Sequence, residues 1–423
     1  MMRTLQSGLI ASLVFLRDKL RRVGKIPWHG LTAWAESVLT RVFDALWARR
    51  DFAHAVDPEG TPLPTLRNSS AAVILILALV LLPATAPAME LSPDMRKLAA
   101  AADKEGAVAL MLGEGTFGGT EGAKLFEQQM NAAFGTRIKV VFTPGPSMPA
   151  MGSQIAMLAN ARQVAPTDIY VGWSRHLAGL AKYRLFLAAD WEKLLPGRID
   201  PHIAEQDGHI LKVVTSLPGV FYNTKLSPYA PTSMADFLKP EWKGKIASTP
   251  YAANFDVLAA KDFWGPDKAI EYARKLSGQL AGLMRCDEGE RITSGEFLAL
   301  VPNCAGRLAE LGIGPGAPIA NMTPRDFMAA NYSYVAVPRN APHPTAGTLF
   351  AAFALTPEGQ NLIWRTWGSD LDLFAESHAH KEVAELEAAN GAPLKRADAT
   401  WQMTNEAGNK AWAEIQRILS KTN

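Results

Sequence analysis

The chain has 423 residues, enough for about two or three ordinary domains, and its 48% hydrophobic and 20% charged content excludes a disordered polymer. A formal net charge of +2 leaves no bulk field to attract nucleic acid. The charge is uneven: residues 1–88 carry 10 Lys+Arg against 6 Asp+Glu, whereas the remainder carries 33 against 35.

Residues 1–70 form an N-terminal extension with two helical patterns. One covers 9–22. The other covers 31–50 and places Trp34, Val38, Leu39, Val42, Phe43, Leu46 and Trp47 on one face. A basic amphipathic helix of this kind lies on a membrane surface. The alternative is an upstream extension that is absent from the mature protein. Pro58, Pro62 and Pro64 then make an extended linker.

Residues 71–82 are an uncharged apolar run preceded by Arg67 and followed by Pro83-Ala84-Thr85-Ala86-Pro87-Ala88. Charge, short apolar core and small-residue end are the parts of a secretory signal, with cleavage expected after Ala88. A spanning helix needs about 20 apolar residues, and this core is shorter and closed by Pro83. A retained anchor is the alternative, in which case membrane contact runs through residues 1–88. Export decides the reading of Cys286 and Cys304. In a reducing compartment they are buried thiols, whereas in an oxidising one they pair.

From residue 91 strand, loop and helix alternate. Helices are expected at 92–105, 121–134 and 148–160, and strands at 107–112, 138–142 and 168–172. This order predicts an α/β fold with a mostly parallel sheet flanked by helices. Ligands of such sheets lie beyond the carboxyl ends of the strands. Loops 113–120, 143–147 and 172–176 occupy that edge, each immediately before a helix. A strand at 219–223 ends in an Asn-Thr-Lys turn. A second α/β segment follows, with a strand at 246–248, helices at 252–264 and 266–278 and a strand at 298–301. The chain is expected to return to the first segment at 332–337, and a C-terminal helix at 405–419 to pack outside.

Several motifs stand in a fixed order: Tyr222-Asn223-Thr224-Lys225-Leu226, Pro231-Thr232-Ser233-Met234-Ala235-Asp236-Phe237-Leu238, Pro240-Glu241-Trp242-Lys243-Gly244-Lys245-Ile246, Ser294-Gly295-Glu296 and Thr356-Pro357-Glu358-Gly359-Gln360. In that order they resemble the ferric-iron-type branch of the extracellular solute-binding proteins that serve ABC transporters, over about residues 90–423. The resemblance implies a type II periplasmic-binding-protein fold: two lobes, each a central sheet flanked by helices, joined by a hinge. Lobe 1 is placed at 89–227 with 332–423, and lobe 2 at 228–331. It also implies a periplasmic, monomeric binder that closes on a small solute, anionic or a metal complex, and delivers it to an ABC transporter permease. The same domain held by an uncleaved anchor would be a membrane-tethered sensor.

Iron-binding members of that branch carry adjacent tyrosines after an Asn, where this chain has Asn303-Cys304-Ala305-Gly306-Arg307-Leu308. Hard Fe(III) prefers oxygen donors, so bare ferric ion is not the expected ligand. No zinc-type His/Cys spacing, nucleophile elbow, P-loop or HExxH helix is present, and neither cofactor, nucleic acid nor catalysis is expected.

The candidate ligand contacts follow from the strand-end loops. Arg175 and His176 offer a cation for an anionic solute, with Trp173 as a stacking face. Thr116 and Ser147 offer hydroxyls beside helix starts, against simple N-capping as the alternative. Ser248, Thr249 and Tyr251 hold the mirrored position in the second lobe, Tyr222 ends a crossover strand, and Asn303 belongs to the tyrosine-less loop. Glu114 and Asp287 argue for a cationic solute instead.

Overall fold

In the computed structural model of the protein, residues 91–304 and 316–421 are described. The expectations for residues 1–88 and for Ala305, Gly306, Arg307 and Leu308 lie outside them. No helix among the described residues is long and apolar enough to cross a membrane.

Helix α1 (Pro93–Glu105) starts where Ser92 accepts the Met95 N–H, as expected of an N-cap. Strand β1 (Ala107–Leu112) leads to α2 (Gly119–Phe134), β2 (Lys139–Pro144) and α3 (Met148–Asn160). Strand β3 (Tyr170–Trp173) runs directly into α4 (Ser174–Leu180). Strands β1 and β2 pair in parallel. The Asp168 carboxylate accepts the Ala109 N–H at 2.6 Å and so ties the approach to β3 onto β1.

A first sheet has the order β12-β11-β5-β4, with β3 also on β11. Its strands are β4 (Ala204–Glu205), β5 (Ile210–Ser216), β11 (Ala329–Ala336) and β12 (Lys395–Ala397). A second sheet runs β10-β6-β9-β7-β8, from β6 (Val220–Asn223), β7 (Ile246–Ser248), β8 (Leu280–Leu283), β9 (Ala299–Leu300) and β10 (Ile319–Met322).

The α/β expectation holds, but the sheets are mixed rather than mostly parallel. Pairs β1–β2, β7–β8, β7–β9 and β11–β12 are parallel, whereas β11 is antiparallel to β3 and β5, and β6 to β9 and β10. The physical reason lies in the crossovers. Strands β6 and β11, which arrive from the other sheet, run against β9 and β10 and against β3 and β5, while β4 and β5 are antiparallel as consecutive strands.

Two further differences concern placement. Strand β6, expected at the end of the first lobe, joins the second sheet. In the second lobe, α5 (Phe255–Leu258) is a single turn, followed by α6 (Pro266–Ser277). After β11 come α7 (Pro344–Ala354), α8 (Pro357–Trp367), α9 (His378–Asn390), α10 (Ala399–Thr404) and α11 (Glu406–Leu419). The C-terminal helix α11 buries Ala411, Ile415 and Leu419 in the core of the second sheet, beside Ala269, Tyr272 and Leu276 of α6.

The motif residues now have structural reasons. Thr356 caps α8 by accepting the Gly359 N–H. A Cβ on Gly359 would lie 1.8 Å from the Phe353 carbonyl, so only glycine lets α8 start against the end of α7. Trp242 is fully buried, its ring centroid 4.9 Å from that of Phe237 and 5.7 Å from that of Tyr229.

Removing that indole leaves a cavity in the second core. Trp242→Ala is expected to cost about 3–5 kcal/mol in denaturant unfolding. The indole N–H has no partner among the described residues, so Trp242→Phe, which keeps a ring and removes that group, should cost clearly less. Equal losses for the two variants would refute a packing role.

Candidate functional site

The chain passes between the two sheets at 217–219, at 323–328 and again after β12. The first two passages are stitched by buried amides. Asn303 is fully buried; its Oδ1 accepts the Gly219 N–H at 2.9 Å and its Nδ2 donates to Asn321 Oδ1 at 2.6 Å. Asn254 donates to the carbonyls of Asn303 and Cys304, and Asn331 of β11 donates to Asn254 Oδ1. Ser216, the last residue of β5, donates to the Cys304 carbonyl at 2.7 Å. Gly219 is required here because a Cβ would lie 2.4 Å from the Met322 carbonyl of the second passage.

The third passage is held by charge. Lys212, buried inside β5, pairs with Glu205 at 3.1 Å and Asp398 at 3.2 Å. Glu205 accepts the Thr400 N–H and hydroxyl, Tyr334 accepts the Ala399 N–H, and Asp398 caps α10 through the Trp401 N–H.

Cys286 and Cys304 are disulfide-bonded. The Tyr251 hydroxyl lies 3.3 Å from Cys304 Sγ and accepts the Cys286 N–H at 3.3 Å, so it braces the bridge.

The residues singled out from sequence stand on elements of both lobes. On the first-lobe side, Glu114 is exposed in the turn after β1 and Thr116 is buried in the next one. Ser147 precedes α3 without capping it through its side chain, which leaves its exposed hydroxyl available. Trp173 ends β3 half-buried, 6.3 Å between centroids from Trp367. On the other side, Thr249 accepts the Ala253 N–H, Ser248 is fully buried with a hydroxyl that has no partner among the described residues, and Tyr251 stands 38% exposed. Tyr222 is half-buried in β6 against the second core. Asn223 secures its turn by accepting the Lys225 and Leu226 N–H groups. Asn303 spends its amide inside the hinge, and Asp287 is held by Arg285 through two contacts of 3.0 Å.

Arg175 and His176 differ from one another. The Arg175 guanidinium lies 3.5 Å above the Trp412 ring, with Nε 3.9 Å from Asp256 Oδ2. Trp412 is itself fixed by donating to the carbonyls of Tyr251 and Ala252. Desolvation draws the Arg175 pKa down and Asp256 draws it back up. His176 accepts the Trp173 N–H through Nδ1. Burial, with the neighbouring Arg175 charge added, pulls its pKa to about 3, so it is neutral near pH 7 and does not supply the second cation expected.

Sequence reasoning did not find Asp256, Trp412, Asn254 or Asn331. Asp256 and Asn254 stand in an otherwise apolar stretch from Ala252 to Ala260, a mismatch that marks buried polar groups with partners elsewhere.

Two expectations follow. The bonded cysteines are 18 residues apart, a loop for which the chain-entropy account gives about 3 kcal/mol; Cys286→Ser/Cys304→Ser should lose roughly that in denaturant melts, and reductant should not weaken the double variant further. For His176, the unfolded imidazole protonates near 6.5 and the folded one near 3, so stability rises with pH across that window and is lost as pH falls through it. Replacing it in His176→Gln should flatten the slope by up to about 1.4 kcal/mol per pH unit, measured by unfolding at stepped pH.

Comparison with known proteins agrees with this architecture. No curated protein sequence matches the chain. Among solved structures, the substrate-binding protein of an ABC transporter from Agrobacterium tumefaciens superposes with a TM-score of 0.60 at 15% identity, covering 74% of this chain and 95% of that one. The apo ferric ion-binding protein A of Pasteurella haemolytica gives 0.57 at 12%, covering 74% and 98%. A periplasmic binding protein of Actinobacillus pleuropneumoniae with fructose-6-phosphate bound gives 0.52 at 18%, covering 74% and 96%. These likenesses establish the two-lobed type II fold. Residues 123–391 match the sequence profile of the bacterial extracellular solute-binding proteins, and the chain belongs to that family.

Proposed function

We propose that the protein is the periplasmic substrate-binding component of an ABC importer. It captures a small solute, anionic or a metal complex, between two lobes and presents it to a membrane permease. The observation that carries this reading is the hinge: two separate sheets are joined by adjacent crossover strands whose polar groups are satisfied inside the junction. Such a joint turns as a unit while each lobe keeps its own core. Closure is then driven by contacts that the solute makes with both lobes, since a ligand shifts an equilibrium only by its differential affinity.

The lobe boundaries follow from the crossings, at 217–219, 323–328 and near Asp398. The first lobe thus comprises the first sheet with β1 and β2, and the second lobe the second sheet together with α11. Export through the 71–88 segment, with cleavage after Ala88, supplies the compartment in which the disulfide persists. The loss of the tyrosine pair at Cys304 and Ala305 argues against bare Fe(III) as the solute.

The test is recovery of the bound solute. Small molecules released from the purified full-length protein are identified by mass spectrometry and added back. Saturation at 100 times the dissociation constant should stabilise the fold by about 2.7 kcal/mol, and small-angle scattering should show a smaller radius of gyration. A solute that is chemically altered on incubation would identify an enzyme. A bound solute that leaves the radius unchanged would remove hinge closure.

The joint itself is tested by Asn303→Ala. That variant leaves the Gly219 N–H and Asn321 Oδ1 without their partner, so stability should fall by about 1–3 kcal/mol. The closed form should also be less populated in scattering at equal solute saturation. Unchanged stability would mean that water replaces the amide and that the network does not define the hinge.

A further inference from the structure

We infer that Arg175 presents the Nη edge of its guanidinium as a fork for an oxyanion, a carboxylate or phosphate group carried by the solute. The inference rests on the solute-capture reading above and adds the chemical class of the solute.

The geometry separates the two edges of the guanidinium. Its Nε side faces Asp256 at 3.9 Å, beyond hydrogen-bond reach, and its flat face lies 3.5 Å from the Trp412 centroid. No N–H of Arg175 is hydrogen-bonded to a described residue, although a guanidinium carries five donors. The nitrogens are not sealed off either. None is buried without a partner, in contrast to Nη2 of Arg198, and the side chain keeps 26% of its surface accessible. A structural arginine of similar accessibility satisfies its fork on carboxylates, as Arg291 does on Glu296 through Nε and Nη2 with 29% of its side chain exposed.

The surroundings orient the group without saturating it. Asp256 is itself held by Gln402 Nε2 at 2.7 Å, so it supplies a fixed counter-charge on the Nε side. Trp412 cannot swing away while its indole donates to the carbonyls of Tyr251 and Ala252. The platform belongs to α11 and the carboxylate to α5, both on the second core, whereas Arg175 opens α4 of the first lobe. The fork is therefore set at the junction of the lobes, one residue beyond Ser174 and two beyond the end of β3. His176 is neutral and adds no competing charge. Of the carboxylates that favoured a cationic solute, Asp287 is already engaged by Arg285, which leaves exposed Glu114.

A planar fork binds carboxylate and phosphate bidentately, and lysine does not reproduce it. The full-length protein is screened by thermal shift and calorimetry against inorganic phosphate, glucose 6-phosphate, citrate and malate, with putrescine and glucose as cationic and neutral probes. The expected result is binding by one or more oxyanions, separating the carboxylate from the phosphate source. Affinity should fall about tenfold or more in Arg175→Lys and further in Arg175→Gln. Arg175→Lys keeps a positive charge beside Asp256, so its melt without solute verifies folding. If it fails to fold, Trp412→Phe is read instead; its unliganded melt, lowered by loss of the two indole hydrogen bonds, serves as its own reference, and its affinity for the oxyanion should fall severalfold. Oxyanion binding that survives these substitutions overturns the inference. Selective binding of putrescine or glucose overturns it too but leaves solute capture standing. Absence of any shift across the panel overturns the oxyanion fork, while the recovered-solute experiment separately decides the capture reading.

Discussion

Asn303 is the point on which the two halves depend. A crossover strand must leave one sheet before it enters the next, and in that gap its backbone loses the ladder that would otherwise satisfy it. At 217–219 the gap is filled by an amide: the Gly219 N–H goes to Asn303 Oδ1, and the Asn303 N–H returns to the Gly219 carbonyl at 2.8 Å. Through Asn321, Asn254 and Asn331 the same network reaches the second passage and the start of β11. Buried amides of this kind cost a great deal when half-satisfied, which favours one arrangement of the junction over its alternatives.

The disulfide joins this junction from the other side. Cys304 follows Asn303 directly, and its carbonyl accepts from both Ser216 and Asn254. Pairing with Cys286 fixes the hinge loop to the tip of the second lobe, where Tyr251 also reaches. In iron-type relatives the resemblance places metal-binding tyrosines at 304 and 305. Here the first of those positions carries a covalent brace. A bonded cysteine at that position offers no oxygen donor.

Much of the fold was legible because it is local. Ser92 before a Pro-started helix, the 107–112 run and the Thr-Pro-Glu-Gly-Gln start each depend on residues within a few positions. The order of motifs around Tyr222 and Trp242 carried the two-lobed architecture. What was not legible depends on pairing at long range. Strand β5 is interrupted by Lys212, which reads as solvent-facing until Glu205 and Asp398, the latter 186 residues away, are brought beside it. Strand β6 reads from sequence as the end of the first lobe because a crossover strand has no signature of the sheet that receives it. The direction of β11 and the place of α11 escaped for the same reason. The candidate contacts divided in the same way. The place of Trp173 and Arg175 at the end of β3 is legible from the strand pattern alone. The roles of Asn303, as hinge, and of His176, as neutral acceptor, follow from neighbours that no local pattern reveals.

The electrostatics of the cleft follow from which charges are already spent. Charged side chains at a closing interface must be paired within the protein or await a partner, since desolvating an unpaired ion is costly. Arg285 and Asp287 neutralise one another on the second lobe, and Lys212 is paired with both Glu205 and Asp398 beside the first sheet, which leaves one carboxylate charge in excess there. Arg175 stands apart: Asp256 offsets its charge at a distance but accepts none of its hydrogens. On binding, an anionic group would complete the guanidinium's hydrogen bonds without first breaking an internal pair. A cationic solute would instead face Arg175 across the closing lobes and have to offset that repulsion through Glu114, a carboxylate in high dielectric. At an effective dielectric constant near 20, two unit charges 4 Å apart interact by about 4 kcal/mol, against about 1 kcal/mol in bulk water. Under the oxyanion-fork proposal, the largely desolvated arginine therefore outweighs the exposed glutamate in setting the sign of the site.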